Sequence, residues 1–446
     1  MININIPEEV QYIIDNLEKN GFEAYAVGGC VRDILLGKTP QDWDICTSAL
    51  PEQTMKCFEG RHIIETGLKH GTVTLMLNHK PFEITTYRID GIYSDNRRPD
   101  KVEFVSDVKE DLSRRDFTIN AMAYNPKTGI ADFFDGVKDL NNGVIKCVGN
   151  AGRRFQEDAL RIMRALRFAA VLNFKIDAET SKAMFDNRKL LKNIASERIA
   201  VELNKLIVGN NVRVLISAHL PVISEVIPEL TETAGFEQHN RYHCYDVLEH
   251  ILISVESAPR DVNIRLTMLF HDIAKPLCYT EANGTGHFYG HAKLSADIAG
   301  KILSRLKYDN NTIRTVKELV FYHDSDIKPE RKYIKRWLNK IGEERLRQLI
   351  DVKKADDTAK AEKYRQKSFA VLDKILSIIN EIIEQGQCFA LKDLAIDGRD
   401  LIDLGIKEGS EIGYILKRLT DMVVDEQIEN DRAVLLEYVK EIRNKK

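Results

Sequence analysis

No C-x-x-C pair occurs among the seven cysteines, Cys30, Cys46, Cys57, Cys147, Cys244, Cys278 and Cys388, and their number is odd. That excludes a disulfide scaffold and suits a reducing compartment. No apolar run approaches ~20 residues, so a membrane-spanning helix is not expected. The opening stretch MININIPEEVQYIIDNLEKN lacks the apolar core of a signal peptide. Excess positive charge is missing as well: 65 Lys plus Arg stand against 68 Asp plus Glu, a formal charge of −3. Any nucleic-acid surface must therefore be a local patch. Internal repeats and low-complexity tracts are also absent. The 446 residues are 43% hydrophobic and 30% charged, ordinary for a globular chain of about three domains at ~150 residues each. These absences predict a cytoplasmic, multidomain, soluble protein, with no membrane partner and an oligomeric state that the sequence leaves open.

Between residues 22 and 148, short β-like runs (FEAYAV, HGTVTLML, FEITTYR, KVEFV, GVIKCVG) alternate with Gly, Pro and Asn/Asp turns. Helical patterns lie near 8–20, 31–36 and 51–58. From 151 onward the sheet signal fades and long amphipathic helices follow. Pro221, Pro228 and Gly235 mark a boundary. The expected fold is an α/β head with a small mixed sheet and helices, residues 1–148, followed by an all-α remainder. That remainder divides into a neck at 149–235, a His-rich body at 236–330 and a helical tail at 331–446.

In AYAVGGCVRDILLG an apolar strand meets Gly28 and Gly29 and then a helix. Two glycines let backbone N–H groups approach a phosphate, and Arg32 in the first helical turn offers a forked cation. Such pairs are also common in plain tight turns. Next comes QDWDICTS. On an extended segment Asp42 and Asp44 share a face while Trp43 and Ile45 point away. Two carboxylates side by side call for a cation, and hard oxygen donors suit Mg²⁺. A phosphate turn followed by D-x-D is what metal-assisted nucleotidyl transfer needs; the alternative is a polar turn with two solvated acids. Glu83 on FEITTYR is either a third carboxylate or a solvated strand residue.

SRRDFTINAMAY gathers Arg114, Arg115 and Asp116 before an apolar stretch, which by itself reads equally as an ion pair across a seam. EDALRIMRALRFAA reads as one helix, with Ile162, Met163 and Leu166 on its apolar side and Asp158, Arg161, Arg164 and Arg167 stepping three apart on the other. A carboxylate accepts from an exocyclic amino group and a guanidinium donates to a ring nitrogen. Cytosine and adenine both present that amino–nitrogen order, so Asp158 with Arg161 could select C and A without a template. The competing reading is an intrahelical salt bridge, worth little when exposed.

Gly28-Gly29-Cys30-Val31-Arg32-Asp33, Asp42-Trp43-Asp44, Arg114-Arg115-Asp116-Phe117-Thr118-Ile119-Asn120-Ala121, Glu157-Asp158-Ala159-Leu160-Arg161 and Ser196-Glu197-Arg198-Ile199 occur in this order. They resemble the motifs of bacterial class II tRNA nucleotidyltransferases and the related poly(A) polymerases, over roughly residues 20–210. The resemblance implies a nucleotidyltransferase head, Mg²⁺ on Asp42 and Asp44, and CTP and ATP as substrates with tRNA as acceptor. It implies nucleotide binding by Gly28, Gly29, Arg32, Arg115, Asp158, Arg161, Arg164 and Arg167. Arg115 would contact the triphosphate and Asp116 would lie by the ribose. Residues 86–104 resemble the flexible loop used when such enzymes change from C to A addition.

Further along, HCYDVLEH, RLTMLFHDIAKPL, GHFYGHAKLS and VFYHDSD follow one another. His271-Asp272 ends an apolar run, where an unneutralised charge is costly. A metal on His250, His271, Asp272 and Asp324 would remove that cost and fits imidazole-plus-carboxylate ligation. The order resembles the HD phosphohydrolase superfamily, which makes 236–330 an HD body and implies a divalent transition metal with phosphatase or cyclic phosphodiesterase activity. His287 and His291 are expected as supporting or substrate-side groups. The competing readings are a retained HD fold without activity, a poly(A) polymerase, an enzyme adding only C or only A, and a protein acting mainly as an HD phosphohydrolase.

Overall fold

The computed structural model describes residues 4–65, 67–91, 102–239 and 244–444. Most of the expected loop at 86–104 lies outside these. The chain divides into two compact units, Met1–Thr231 and Glu232–Lys446.

The first unit is built on a mixed sheet. Its strands are β1 (Ala24–Val27), β2 (Asp44–Thr47), β3 (Ile63–Ile64), β4 (Thr72–Leu77) and β5 (Lys80–Thr86). A separate two-stranded ribbon, β6 (Arg88–Asp90) and β7 (Val102–Phe104), is followed by β8 (Met122–Asn125) and β9 (Gly129–Asp132). The main sheet runs β3-β4-β5-β2-β1-β8-β9. Only β2 and β5 pair in parallel; the other neighbours are antiparallel. In β4 the period of two is plain, with Val73, Leu75 and Leu77 buried between half-exposed threonines and Met76. Asn78 and His79 both take positive φ, so β4 turns into β5 through a two-residue loop whose twist matches the strands.

β8 is buried on both faces and carries no alternation, which is why it reads in sequence only as an apolar stretch. In the same unit, the helix Leu160–Leu172 packs along Ser196–Ile207. It does not begin at Glu157 as the periodicity suggests. The helix Ala151–Glu157 stops, Asp158 takes extended backbone (φ −136°, ψ 103°), and a new helix starts at Leu160. The break is stabilised by Asp158 itself, whose Oδ1 accepts from the Leu160 N–H at 3.0 Å.

The second unit is helical, as expected, except for a hairpin of Thr280–Ala282 and Thr285–His287. Asn283 and Gly284 at its tip both have positive φ, an Asn-Gly hairpin signal inside a helical pattern. Helix Glu343–Thr358 packs against Val247–Ser257, Val262–Phe270 and Asn310–Tyr322. The packing of the His-rich body therefore continues past residue 330.

Candidate functional site

In the first unit, sheet register brings the acidic and glycine motifs together. Val27 lies opposite Asp44 across β1 and β2, and Asp44 lies opposite Glu83 across β2 and β5. The Gly28 turn, the D-x-D segment and Glu83 thus meet at one level of the sheet. Desolvation raises the Asp44 carboxyl above its ordinary range; Arg115 opposes this, and the Glu83 and Asp42 charges add to it. A hard divalent cation would relieve that repulsion, so the donor set fits Mg²⁺. Glu83 is the residue that sequence reasoning set aside, and only the pairing of β2 with β5 shows its place.

Gly28 has φ +81°, and a Cβ there would meet Arg115 Nη1 at 2.9 Å. The turn thus needs glycine both for its backbone and for the guanidinium beside it. Arg115 is held by Asp111 (3.3 Å), which also takes Arg114 Nη2 at 2.7 Å and Nε at 3.0 Å. Asp111 is fully buried on the short helix Val108–Ser113, whose start is capped by the Asp107 carboxylate accepting from Lys109 N–H. Burial opposes its ionisation, yet Arg114 and Arg115 hold its carboxyl below the usual range. Asp111 was not among the residues expected at the site; its signal in the sequence is its spacing of three and four residues before the two arginines.

Arg32 donates from Nη1 to Asn120 Oδ1 at 2.7 Å and from Nε to Asp33 at 2.9 Å. Asn120 in turn donates to Asp116 Oδ1 at 3.0 Å, and Arg164 Nε donates to Asp116 Oδ2 at 2.8 Å. Asp116 is buried; desolvation would raise its carboxyl, but Arg164, Asn120 and Arg161 outweigh it and hold the group far below its ordinary value. Arg167 pairs with Glu202 at 3.0 Å. Arg32, Arg164 and Arg167 all face the Phe168 ring, with guanidinium carbons 5.1, 5.4 and 3.9 Å from its centroid.

Asp158 and Arg161 are not the side-by-side helical pair that a continuous helix would make. Asp158 meets Arg198 at 3.3 Å, while Arg161 is buried and donates to Glu157 at 3.0 Å and to the Arg114 carbonyl at 2.9 Å. The helix break between them turns the two side chains to different partners.

The second unit holds a buried cluster of imidazoles and carboxylates. His250, His271, Asp272 and Asp356 form one group of potential ligand atoms; Asp272, His291 and His323 form another. Asp324 is not in either. It is exposed at the end of helix Asn310–Tyr322, where the preceding His323 turns inward and its neighbour outward. Its expected place is taken by Asp356, in the last turn of Glu343–Thr358 and 2.9 Å from His250 Nε2. Lys360, one turn further on, contacts the other Asp356 oxygen at 2.7 Å. Burial would lower His271, but Asp272 and Asp356 raise it to about 9. Lys275 reaches Asp272 Oδ2 at 2.7 Å.

Three family models match the chain: the poly A polymerase head domain over residues 24–146, the RNA- and SrmB-binding site of polymerase A over 173–218, and tRNA nucleotidyltransferase domain 2 over 286–439. A CCA-adding enzyme of Lactobacillus delbrueckii subsp. bulgaricus is 36% identical over 445 residues, covering 98% of this chain and all of that one. The CCA-adding enzyme of Limosilactobacillus reuteri is 36% identical over 436 residues, 98% of this chain and 96% of its own. Among solved structures, the Bacillus stearothermophilus CCA-adding enzyme in complex with CTP superposes with a TM-score of 0.70 at 26% identity, covering 98% of each chain. The Thermotoga maritima enzyme complexed with tRNA shares the fold, with a TM-score of 0.60 at 19% identity over 98% of this chain and 96% of its own. With full-length identity above a third and the head motifs assembled on one sheet, the chain belongs to the CCA-adding enzyme family of nucleotidyltransferases.

Proposed function

We propose that this chain adds CCA to the 3′ ends of tRNA from CTP and ATP, without a template, in a reducing cytoplasmic setting that suits its free cysteines. The observation that carries the reading is the register that puts Asp44 between the Gly28 turn and Glu83. The 3′-hydroxyl oxygen of tRNA bonds to the α-phosphorus, the bond from that phosphorus to the α,β-bridging oxygen breaks, pyrophosphate leaves, and the hydroxyl proton passes to solvent. Asp42 and Asp44 would hold Mg²⁺, which supplies charge neutralisation at the phosphates and a more acidic hydroxyl. Arg115, kept in place by Asp111, and Arg32, Arg164 and Arg167 around Phe168 supply positive charge for the triphosphate. Gly28 leaves room for the Arg115 guanidinium that would meet it. Selection of C and A falls to Asp158 and Arg161, which requires Arg161 to leave Glu157 and turn toward the base. The neck at 149–235 and the tail at 331–446 are assigned to gripping tRNA by shape and phosphate contacts.

The test is extension of tRNA transcripts ending at the discriminator base, at C and at CC, with CTP, ATP or both. Addition of CCA and then arrest, lost in Asp42→Ala/Asp44→Ala, is expected. A long A tail would replace this reading by poly(A) synthesis, and addition of C alone or A alone by a partial activity.

The buried cluster in the second unit favours a second reading, a metal-dependent phosphohydrolase of the HD type. Imidazole with carboxylate suits a divalent transition metal, and its ligands here would be His250, His271, Asp272 and Asp356 in place of Asp324. The substrate class is a phosphate ester on a nucleotide or RNA end. Water oxygen bonds to phosphorus, the ester P–O bond breaks, and the proton goes to the departing oxygen. Release of phosphate from RNA 3′-phosphate ends, or opening of 2′,3′-cyclic phosphate ends to a phosphomonoester, retained in the Asp42/Asp44 variant and lost in Asp356→Asn, is the expected result.

A further inference from the structure

His291 is the imidazole of the buried cluster most open to solvent, its side chain 10% exposed against 3% or less for His250, His271 and His323. Its Nε2 lies 3.3 Å from Asp272 Oδ1, so a phosphate that enters the cluster on this side passes beside it. The chain just before it carries a ring held out in water. Tyr289 is 77% exposed, more than any other large apolar or aromatic side chain among the described residues. It stands two residues, at most ~7 Å of backbone, from His291. One face of Tyr289 is stacked on His287, with centroids 5.3 Å apart and planes 6° from parallel, and its hydroxyl lies 3.4 Å from His287 Nδ1. Offset parallel stacking is a favoured geometry for flat rings, and it leaves the other face of the tyrosine to solvent.

The ring pair is fixed to the cluster. His287 ends the hairpin strand Thr285–His287. Gly286 N–H donates to the His239 carbonyl at 2.9 Å, and a Cβ on Gly286 would come 2.4 Å from the Gln238 carbonyl oxygen. Gln238 Oε1 accepts from Lys275 Nζ at 2.7 Å, and Lys275 reaches Asp272. Between the two outer rings Phe288 packs inward, 5.6 Å from the Tyr279 ring and 5.3 Å from Lys275 Nζ. Its carbonyl accepts from His291 Nδ1 at 2.8 Å. Gly290, with φ +78°, then swings the chain into the helix His291–Arg305.

A flat open ring at a set distance from a phosphate site matches the build of a nucleotide, whose base lies one sugar away from its phosphate. We propose that Tyr289, backed by His287, stacks on the nucleobase of the nucleotide whose phosphate enters the cluster. The proposal rests on the phosphohydrolase reading above and deepens it. The substrate class narrows from phosphate esters at large to those carrying a base beside the scissile bond. Every base has a π-face, so stacking of this kind accepts all four.

The experiment compares 2′,3′-cyclic AMP with the vicinal cyclic phosphate of glycerol, which has the same reactive ring and no base. Both are offered to the full-length chain with Mn²⁺. Tyr289→Ala should lower kcat/KM for the nucleotide about tenfold, mostly through KM, and leave the glycerol ester unchanged. Tyr289→Phe keeps the ring and should retain both activities. A second readout needs no turnover and no added metal: the fluorescence of 2-aminopurine riboside 3′-phosphate, which stacking quenches. The parent and Tyr289→Phe should quench it, and Tyr289→Ala much less. An unchanged kcat/KM for the nucleotide in Tyr289→Ala, or an equal loss on both esters, overturns the platform and leaves the phosphohydrolase reading standing. Hydrolysis of neither ester by the folded parent, with quenching that still depends on Tyr289, overturns the phosphohydrolase reading and leaves the ring pair as a nucleotide-binding surface. Absence of both hydrolysis and quenching overturns the two together.

Discussion

The guanidinium of Arg115 lies in the space that a side chain on Gly28 would enter, 2.9 Å from the position of its Cβ. The strand-to-helix turn and the R-R-D motif, almost ninety residues apart, are therefore fitted to one another. Gly28→Ala would force Arg115 aside and impose roughly 1–3 kcal/mol of backbone strain. The expected result is at least a tenfold fall in kcat/KM for CTP. Gly37→Ala is the control, because Gly37 also has positive φ but open space around it. It should lower stability without raising KM, as urea titration and single-nucleotide addition would show.

Asp111 holds both arginines of that motif from a fully buried position. Asp111→Asn leaves two cations without their carboxylate, a change that typically costs about 3–5 kcal/mol. In the variant molecules that remain folded, nucleotide KM should rise more than kcat falls. A fall in kcat alone would place Asp111 outside nucleotide binding.

Glu83 raises the Asp44 carboxyl through its charge. Glu83→Gln removes a negative neighbour, so Asp44 ionises at lower pH and the acid limb of the nucleotide-addition profile moves down. If Glu83 also helps attract the cation, half-saturation by Mg²⁺ should rise severalfold. A pH profile and a Mg²⁺ titration read the two effects separately.

Asp116 is held far below its ordinary value, with Arg164 the foremost of the groups that outweigh its burial. A carboxyl depressed in the folded state stabilises the fold above its unfolded value of ~3.9, and that contribution fades as pH falls below it. Asp116→Asn should therefore be clearly less stable than the parent at pH 7. The gap should narrow as the pH is taken below about 4 in urea-unfolding measurements.

The exchange of Asp324 for Asp356 can be checked by thermal unfolding with and without Mn²⁺. At a hundredfold excess over Kd a ligand stabilises by about 2.7 kcal/mol. Asp356→Asn should lose most of that increment and Asp324→Asn should retain it.

The head was legible where chemistry lay in contiguous runs. Alternation placed Asp44 on a strand, and the glycine pair fell at a strand–helix turn as expected. What stayed hidden was set by pairing across distance. Glu83 gains meaning only from its register with Asp44, and Asp111 only from the fold of the short helix before the two arginines. The break at Asp158 was invisible because apolar periodicity runs on through it while the backbone does not. Asp324 looked right because it follows a histidine in sequence. On a helix end adjacent residues point in different directions, and the ligand arrives from a helix some thirty residues later.

The donors around Asp272 come from the helix Val247–Ser257, the end of Val262–Phe270, the start of His291–Arg305, the end of Asn310–Tyr322 and Glu343–Thr358. A cation held there ties together chain positions roughly a hundred residues apart, and closing loops of that length in the unfolded chain carries a large entropic penalty. Loss of the ion would then be felt far from the cluster, as faster amide hydrogen exchange along Val247–Ser257, Val262–Phe270 and Glu343–Thr358 at once.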